Sequence, residues 1–404
     1  VGKLSHVEAW CKGRREAGRV LASCKVSGRE DGRVMSEREL GQMLLMGLPG
    51  PELDSSTAGR LRRLQPGGIL LFSRNIRTPR QLRALIDDVR SLLDREPIVT
   101  IDQEGGRVSR LRALGSEPPS AWQLKERGDP GLIREHGKLT ARLLRLFGFN
   151  LDLCPVLDIG FDNEADNSLK GRCYGSGVQE VISNAGVFNR ALRGGGVLSC
   201  GKHFPGCYAR AACDAHETLP VIDFTREELE CEEIAPFRAL LPELDSIMVG
   251  HSHFPAFDAT KPRWPASLSR AIISDLLRDQ LGFGDGLVMT DDLDMGAILQ
   301  EVSFGDAIRH AVTAGNDMVM ICHRLEMVER AKEHLLEIPD LIVVDALERI
   351  ERLKRRLEPP TAFSEEAFRA VDEEIWNLRL ATLGEERARE RSPEDGKRSP
   401  VELY

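Results

Sequence analysis

The apolar run Val288-Met289-Thr290 leads directly into Asp291, and a carboxylate carried at the end of such a run is a candidate nucleophile. Upstream, Val197 to Cys200 leads into Gly201-Lys202-His203-Phe204-Pro205-Gly206, which is followed by Asp214-Ala215-His216. An Asp-x-His pair supplies an imidazole that titrates near neutral pH and a carboxylate to orient it, so His216 can both give and take a proton with Asp214 as its partner. A carboxylate nucleophile and a separate acid/base are what a retaining glycosidase requires. In that chemistry Asp102 accepts paired hydrogen bonds from sugar hydroxyls, while Lys202, His203, Arg110 and Arg172 donate them. Gly105 and Gly106 permit close backbone approach beside Asp102.

These residues must be positioned by regular elements, and apolar runs recur along the chain at 42–48, 68–72, 98–101, 151–159, 197–200, 246–249, 287–290 and 317–321, with helix-patterned segments between them. That alternation predicts an α/β fold, specifically a closed (β/α)8 TIM barrel, whose active site lies at the C-terminal ends of the strands. The polar residues fall at those ends: Asp102 after the third run, Asp158 in the fourth, Lys202 and His203 after the fifth, His251 and His253 after the sixth, Asp291 and Asp292 after the seventh. His251 joins the substrate-binding candidates on this ground. Asp292 and Asp294 are read as structural, since alternate positions at a strand end face away from the pocket. Ser36 with Glu39 reads as a capping box, and Thr78-Pro79 opens an amphipathic helix with Leu82, Leu85, Ile86, Val89 and Leu92 on one face. The expected organisation is an N-terminal extension over 1–34, a single catalytic barrel over 35–358, and over 359–404 a helix (364–383) followed by a charged tail (384–404) expected to be disordered. So short a C-terminal segment is too small for a second domain.

Composition narrows the function classes. The 404-residue chain carries a net charge of −9 and only 5% aromatic residues, with a sequence pI near 5.6. It offers neither a basic face for phosphates nor a stacking platform, so nucleic acid is not an expected partner. Nine cysteines without a CxxC pair point to a reducing compartment. Leu21-Ala22-Ser23-Cys24 looks like a lipoprotein cleavage box, but the charged residues before it replace the apolar core a signal needs. No run approaches a membrane span. A cytoplasmic enzyme with no membrane partner, no cofactor and no metal is the expectation.

Four motifs, Asp102-Gln103-Glu104-Gly105-Gly106-Arg107-Val108, Lys202-His203-Phe204-Pro205-Gly206, Pro265-Ala266-Ser267-Leu268-Ser269, and Leu276-Leu277-Arg278 running on to Thr290-Asp291-Asp292-Leu293, occur in the order found in glycoside hydrolase family 3. Across about 36–355 the chain resembles that family's single-domain bacterial β-N-acetylhexosaminidases. The resemblance implies Asp291 as nucleophile, His216 as acid/base with Asp214, and sugar binding by Asp102, Arg110, Arg172, Lys202 and His203. It also implies removal of terminal β-linked N-acetylglucosamine, with peptidoglycan fragments as its source. The chain departs from the family pattern at Cys207-Tyr208, where His-Gly or Leu-Gly is usual, and in one extra residue each before Asp214 and in Gly282-Phe283-Gly284-Asp285-Gly286. The residues also admit a β-glycoside phosphorylase, a metal-dependent hydrolase using His251, His253 and Asp291, and a sugar binder without turnover.

Overall fold

The computed structural model describes residues 37–161, 167–211, 215, 217–259 and 263–392. Eight parallel strands close into a barrel: β1 (Leu44–Gly47), β2 (Gly68–Leu71), β3 (Ile98–Ile101), β4 (Leu151–Asp152), β5 (Leu198–Phe204), β6 (Ser246–Val249), β7 (Leu287–Asp292) and β8 (Met318–Ile321). Each pairs with its sequence neighbours and β8 returns to β1. The predicted (β/α)8 barrel is therefore the observed one. Its strands read as nearly continuous apolar runs because both faces are covered, the inner by opposing strands and the outer by helices.

The helix Pro79–Ser91 starts where Thr78 accepts the Gln81 N–H at 3.2 Å and turns Leu82, Leu85, Ile86 and Val89 inward. Leu92 lies just past its end. Ser36, the first half of the expected capping box, lies outside the described residues. At the N-terminal face, buried Asp317 pairs with Arg278 at 2.8 Å and Arg349 at 3.0 Å, and buried Asp245 with Arg193 at 2.9 Å. Arg278, a residue of the fourth motif, thus ties down the barrel floor at the end opposite the strand-end carboxylates.

Two expectations are corrected, and two strands are irregular. The fourth run pairs as a strand only over Leu151–Asp152, because Pro155 has no N–H for the ladder. Beyond it the chain follows β5 through single bonds, Lys202 N–H to Pro155 O at 3.1 Å and Leu157 N–H to Lys202 O at 2.6 Å. The charged tail does not begin without structure at Gly384. The helix Glu365–Ala388 kinks there at a left-handed glycine, φ 78°, and runs another turn, with Ala388 buried and its carbonyl held by Arg379 Nε at 2.7 Å. Last, β7 and β5 each carry one extra residue relative to a neighbour. Met318 and Met320 of β8 stand opposite Met289 and Asp292, and Ile247 and Val249 of β6 opposite Gly201 and Phe204. Bulges of this kind re-aim side chains, and they fall on the segments carrying Asp291 and Lys202-His203. No helix among the described residues is long and apolar enough to cross a membrane.

Candidate active site

A cleft at the C-terminal face, enclosing about 690 Å³ out to its open mouth, is lined by Asp102, Arg110 and Arg172 on one side and Asp291, Asp292, Asp294 and His323 on the other, with Leu70, Phe72, Met248, Met295 and Met320 among its apolar walls. Apolar walls with few convergent polar groups suit the faces and hydroxyls of one sugar ring.

The binding side rests on a buried charge lattice. Arg172 forks onto Glu104, Nε to Oε2 and Nη2 to Oε1, both at 2.7 Å. Lys202 Nζ lies 2.6 Å from Glu104 Oε1 and 2.6 Å from Asp102 Oδ1, and Arg110 stands 3.7 Å from Asp102 Oδ2. Burial alone would raise the Glu104 carboxyl, but Arg172 and Lys202 outweigh it and hold it far below the usual carboxylate range. Burial likewise opposes the charge on Lys202, and Asp102 and Glu104 overturn that, so the ammonium persists at all ordinary pH. Asp158, fully buried, accepts both the His203 backbone N–H and Nδ1 at 2.9 Å, which fixes the ring.

On the opposite side Asp291 Oδ1 accepts the Asp292 N–H at 2.8 Å, which orients the carboxylate at the strand mouth. Asp292 Oδ1 takes the backbone N–H groups of Asp294 at 3.0 Å and Cys322 at 3.2 Å, and Oδ2 lies 3.3 Å from His323 Nε2. Asp294 Oδ2 takes those of His323 and Arg324. Burial pushes the Asp292 carboxyl well up, with Asp294 adding to it, and burial also raises Asp294.

Asp102, Arg110, Arg172 and Asp291 thus meet in one cleft, while Lys202 and His203 stand behind it as supports. Asp214 and His216 lie outside the described residues, but Ala215 between them is buried against Val156, Tyr208, Met295 and Ala297, and its carbonyl accepts the Ala297 N–H at 3.1 Å. His251 is corrected: it is fully buried, its Nδ1 is 2.8 Å from Ser267 Oγ and its Nε2 3.0 Å from the Asp292 carbonyl, and it does not line the cleft. It braces β6 against β7 and the Pro265-Ala266-Ser267 motif. With both ring nitrogens so engaged it does not suit a zinc site, and among the described residues no cluster of three ligating side chains is found. Asp292 and Asp294 are corrected the other way: both line the cleft, because the β7 bulge breaks strict alternation. His323 and Arg74, whose Nη1 is 3.2 Å from His323 Nδ1, were missed as a unit because Arg74 follows β2 and His323 follows β8.

The unusual Cys207-Tyr208 has its own accommodation. Cys207 takes a left-handed φ of 75°, its N–H donates to Glu233 Oε2 at 3.1 Å, and the Tyr208 hydroxyl accepts the His251 N–H. A Cβ on Gly250 would meet that hydroxyl at 2.2 Å, so Tyr208 requires glycine there. Burial, reinforced by nearby Asp158, raises Glu233 from 4.5 to about 7 against the pull of Arg210. A carboxyl raised in the fold contributes stability below its unfolded value that is lost as pH rises through about 7. Glu233→Gln is therefore expected to gain melting temperature relative to the parent as pH goes from 5 to 8. A Tm difference independent of pH would contradict this.

The Glycosyl hydrolase family 3 N terminal domain matches residues 35–353. The chain is 34% identical over 331 residues to a β-hexosaminidase of Alkalilimnicola ehrlichii, covering 77% of this chain and 92% of that one. Among solved structures it is similar to native NagZ from Neisseria gonorrhoeae, at 28% identity and TM-score 0.71 over 83% of this chain and 97% of that one. It is also similar to a family 3 β-N-acetylglucosaminidase from Paenibacillus sp., at 29% identity and TM-score 0.77 over 87% and 69%. With a strand-end carboxylate facing an anchored aspartate and two arginines across the mouth of an eight-stranded barrel, and with a match over most of its length, the chain belongs to glycosyl hydrolase family 3 and is a glycoside hydrolase.

Proposed function

We propose that this enzyme releases terminal β-linked N-acetylglucosamine with retention, through a covalent glycosyl intermediate on Asp291. The observation that carries the mechanism is that Asp291 shares one cleft with Asp102, Arg110 and Arg172, while Ala215, which lies between Asp214 and His216 in sequence, packs with Met295 and Ala297 a few residues past Asp291. In the first step the Asp291 carboxylate attacks the anomeric carbon, the glycosidic bond breaks, and the imidazole of His216 gives its proton to the leaving oxygen. In the second step His216 takes a proton from water, whose oxygen displaces Asp291 and restores the carboxylate. Asp214 orients the imidazole. Asp102, Arg110 and Arg172 hold the hydroxyls, with Lys202 and His203 behind them. The names of the similar proteins support N-acetylglucosamine as the sugar. The family resemblance supports peptidoglycan fragments as its source and the cytoplasm as its place.

Release of nitrophenol from the β-N-acetylglucosaminide but not from the β-glucoside, in phosphate-free buffer, is the expected outcome; a preference for the glucoside, or a requirement for phosphate, would overturn the reading. His216→Ala is expected to slow substrates with a poor leaving group by about 10²–10⁴-fold and nitrophenyl substrates far less, because only the former need a proton. Equal losses on both would remove His216 from the acid's role.

A further inference from the structure

The helix Glu365–Ala388 lies beyond the residues that match the family, yet its inward face grips the loop that carries the sugar-binding residues. Asp372 Oδ1 accepts the Ser116 N–H at 2.5 Å, and a Cβ on Gly115 would lie 2.1 Å from that oxygen, so the carboxylate sits directly against the Gly115 backbone. Seven residues on, and so on the same helical face, Arg379 is 3% exposed. Its Nη1 donates to the Glu117 carbonyl at 3.0 Å and to Glu117 Oε1 at 3.2 Å. Glu117, equally buried, also takes the Ser392 N–H at 3.1 Å and hydroxyl at 2.7 Å, and Arg112 at 3.4 Å.

From Glu117 two short paths lead to the cleft. The next residue, Pro118, accepts the Gly106 N–H at 2.9 Å, and Gly106 follows Glu104, the counter-ion of both Lys202 and Arg172, by two positions. Arg112 shares one helical turn, Arg110–Ala113, with Arg110. Gln103 closes the unit, donating to Ser109 Oγ at 2.8 Å and accepting from Leu111 N–H at 3.2 Å. The hydrogen bonds described for Ser116 and Glu117 come from Asp372, Arg379 and Ser392, with Arg112 the one contributor from the loop itself. The clamp comes from outside, from the C-terminal helix.

We propose that Arg379 is a positioning residue for the sugar site: through Glu117 it sets the place of the loop that presents Asp102, Glu104 and Arg110, and thereby the affinity for the sugar. This rests on the reading of Asp102 and Arg110 as sugar contacts. An interaction that orders binding groups equally for ground and transition states shows in KM and leaves kcat.

The test uses the full chain and nitrophenyl β-N-acetylglucosaminide, at a temperature well below each variant's Tm. Arg379→Met is expected to raise KM about tenfold with kcat within about threefold, and Arg379→Lys, which keeps the charge without the fork, to fall between. Glu374→Ala removes the exposed Arg142–Glu374 pair on the same helix and is expected to leave KM unchanged. Should Arg379→Met not fold, Glu117→Gln takes its place with the same expected rise. A fall in Tm with KM at the parent value, in whichever variant folds, would overturn the proposal and leave Arg379 a stability residue. Arg110→Ala is measured alongside. If it raises KM and Arg379→Met does not, the clamp alone fails; if Arg110→Ala leaves KM unchanged, the sugar-site reading fails and the proposal with it.

Discussion

Asp291→Ala is expected to abolish turnover, by about 10⁴-fold or more on every substrate, while leaving the barrel folded. The side chain is half-buried at the strand mouth and accepts the neighbouring Asp292 N–H, a bond whose loss costs about 1 kcal/mol. Circular dichroism and Tm should therefore stay near the parent while the rate vanishes. Azide separates a nucleophile from a residue that merely stabilises charge. With the carboxylate removed, azide can enter the face that Asp291 occupied and attack a substrate with a good leaving group. The product is then the α-glycosyl azide, because one displacement inverts what two would retain. Rescue giving the β-azide, or a variant that keeps a tenth of the parent rate, would remove Asp291 from the nucleophile's place.

The second large effect is expected at Glu104, which has no part in bond-making. Glu104→Gln leaves Lys202 and Arg172 buried with Asp102, and for Arg172 also Asp158, as the remaining nearby counter-charges, and breaking a buried pair in this way costs about 3–5 kcal/mol. For a chain of this size that is a drop in Tm of at least several degrees. The pH dependence has the opposite sign to that of Glu233. A carboxylate held below its unfolded value of 4.5 contributes stability that is present above that value and is lost as pH falls through it toward the folded value. The parent should therefore lose stability on acidification below about pH 4.5, and Glu104→Gln should lose less over the same range. Activity should fall with it, because Arg172 loses the fork that aims it across the cleft. A Tm within about 1 °C of the parent would show that the lattice does not depend on its central anion.

What the sequence alone determined is the barrel and the identity of most of the polar residues around its mouth. Parallel strands covered on both faces must be continuously apolar, and helices between them must be apolar on one side, so all eight strands stood out as runs. The strand ends likewise announced Asp102, Lys202, His203 and Asp291, because polar residues directly after a buried run mark the C-terminal end of the barrel, where the active site of this fold lies. Tertiary structure alone decided which of these side chains face the substrate. Two bulges, at Lys202-His203 and next to Asp291, break the period of two from which facing is read, so Asp292 and Asp294 entered the cleft. His251, at an equally promising strand end, turned inward as a brace. A bulge is a mismatch of register between two strands, and neither strand alone carries its signature. The same holds for Glu104 with Arg172 and Lys202, for His323 with Arg74, and for Arg379 with Glu117: each is a long-range pairing of groups whose local sequence reads as surface charge, and only the closing of the chain, by burying them together, turns that charge into architecture.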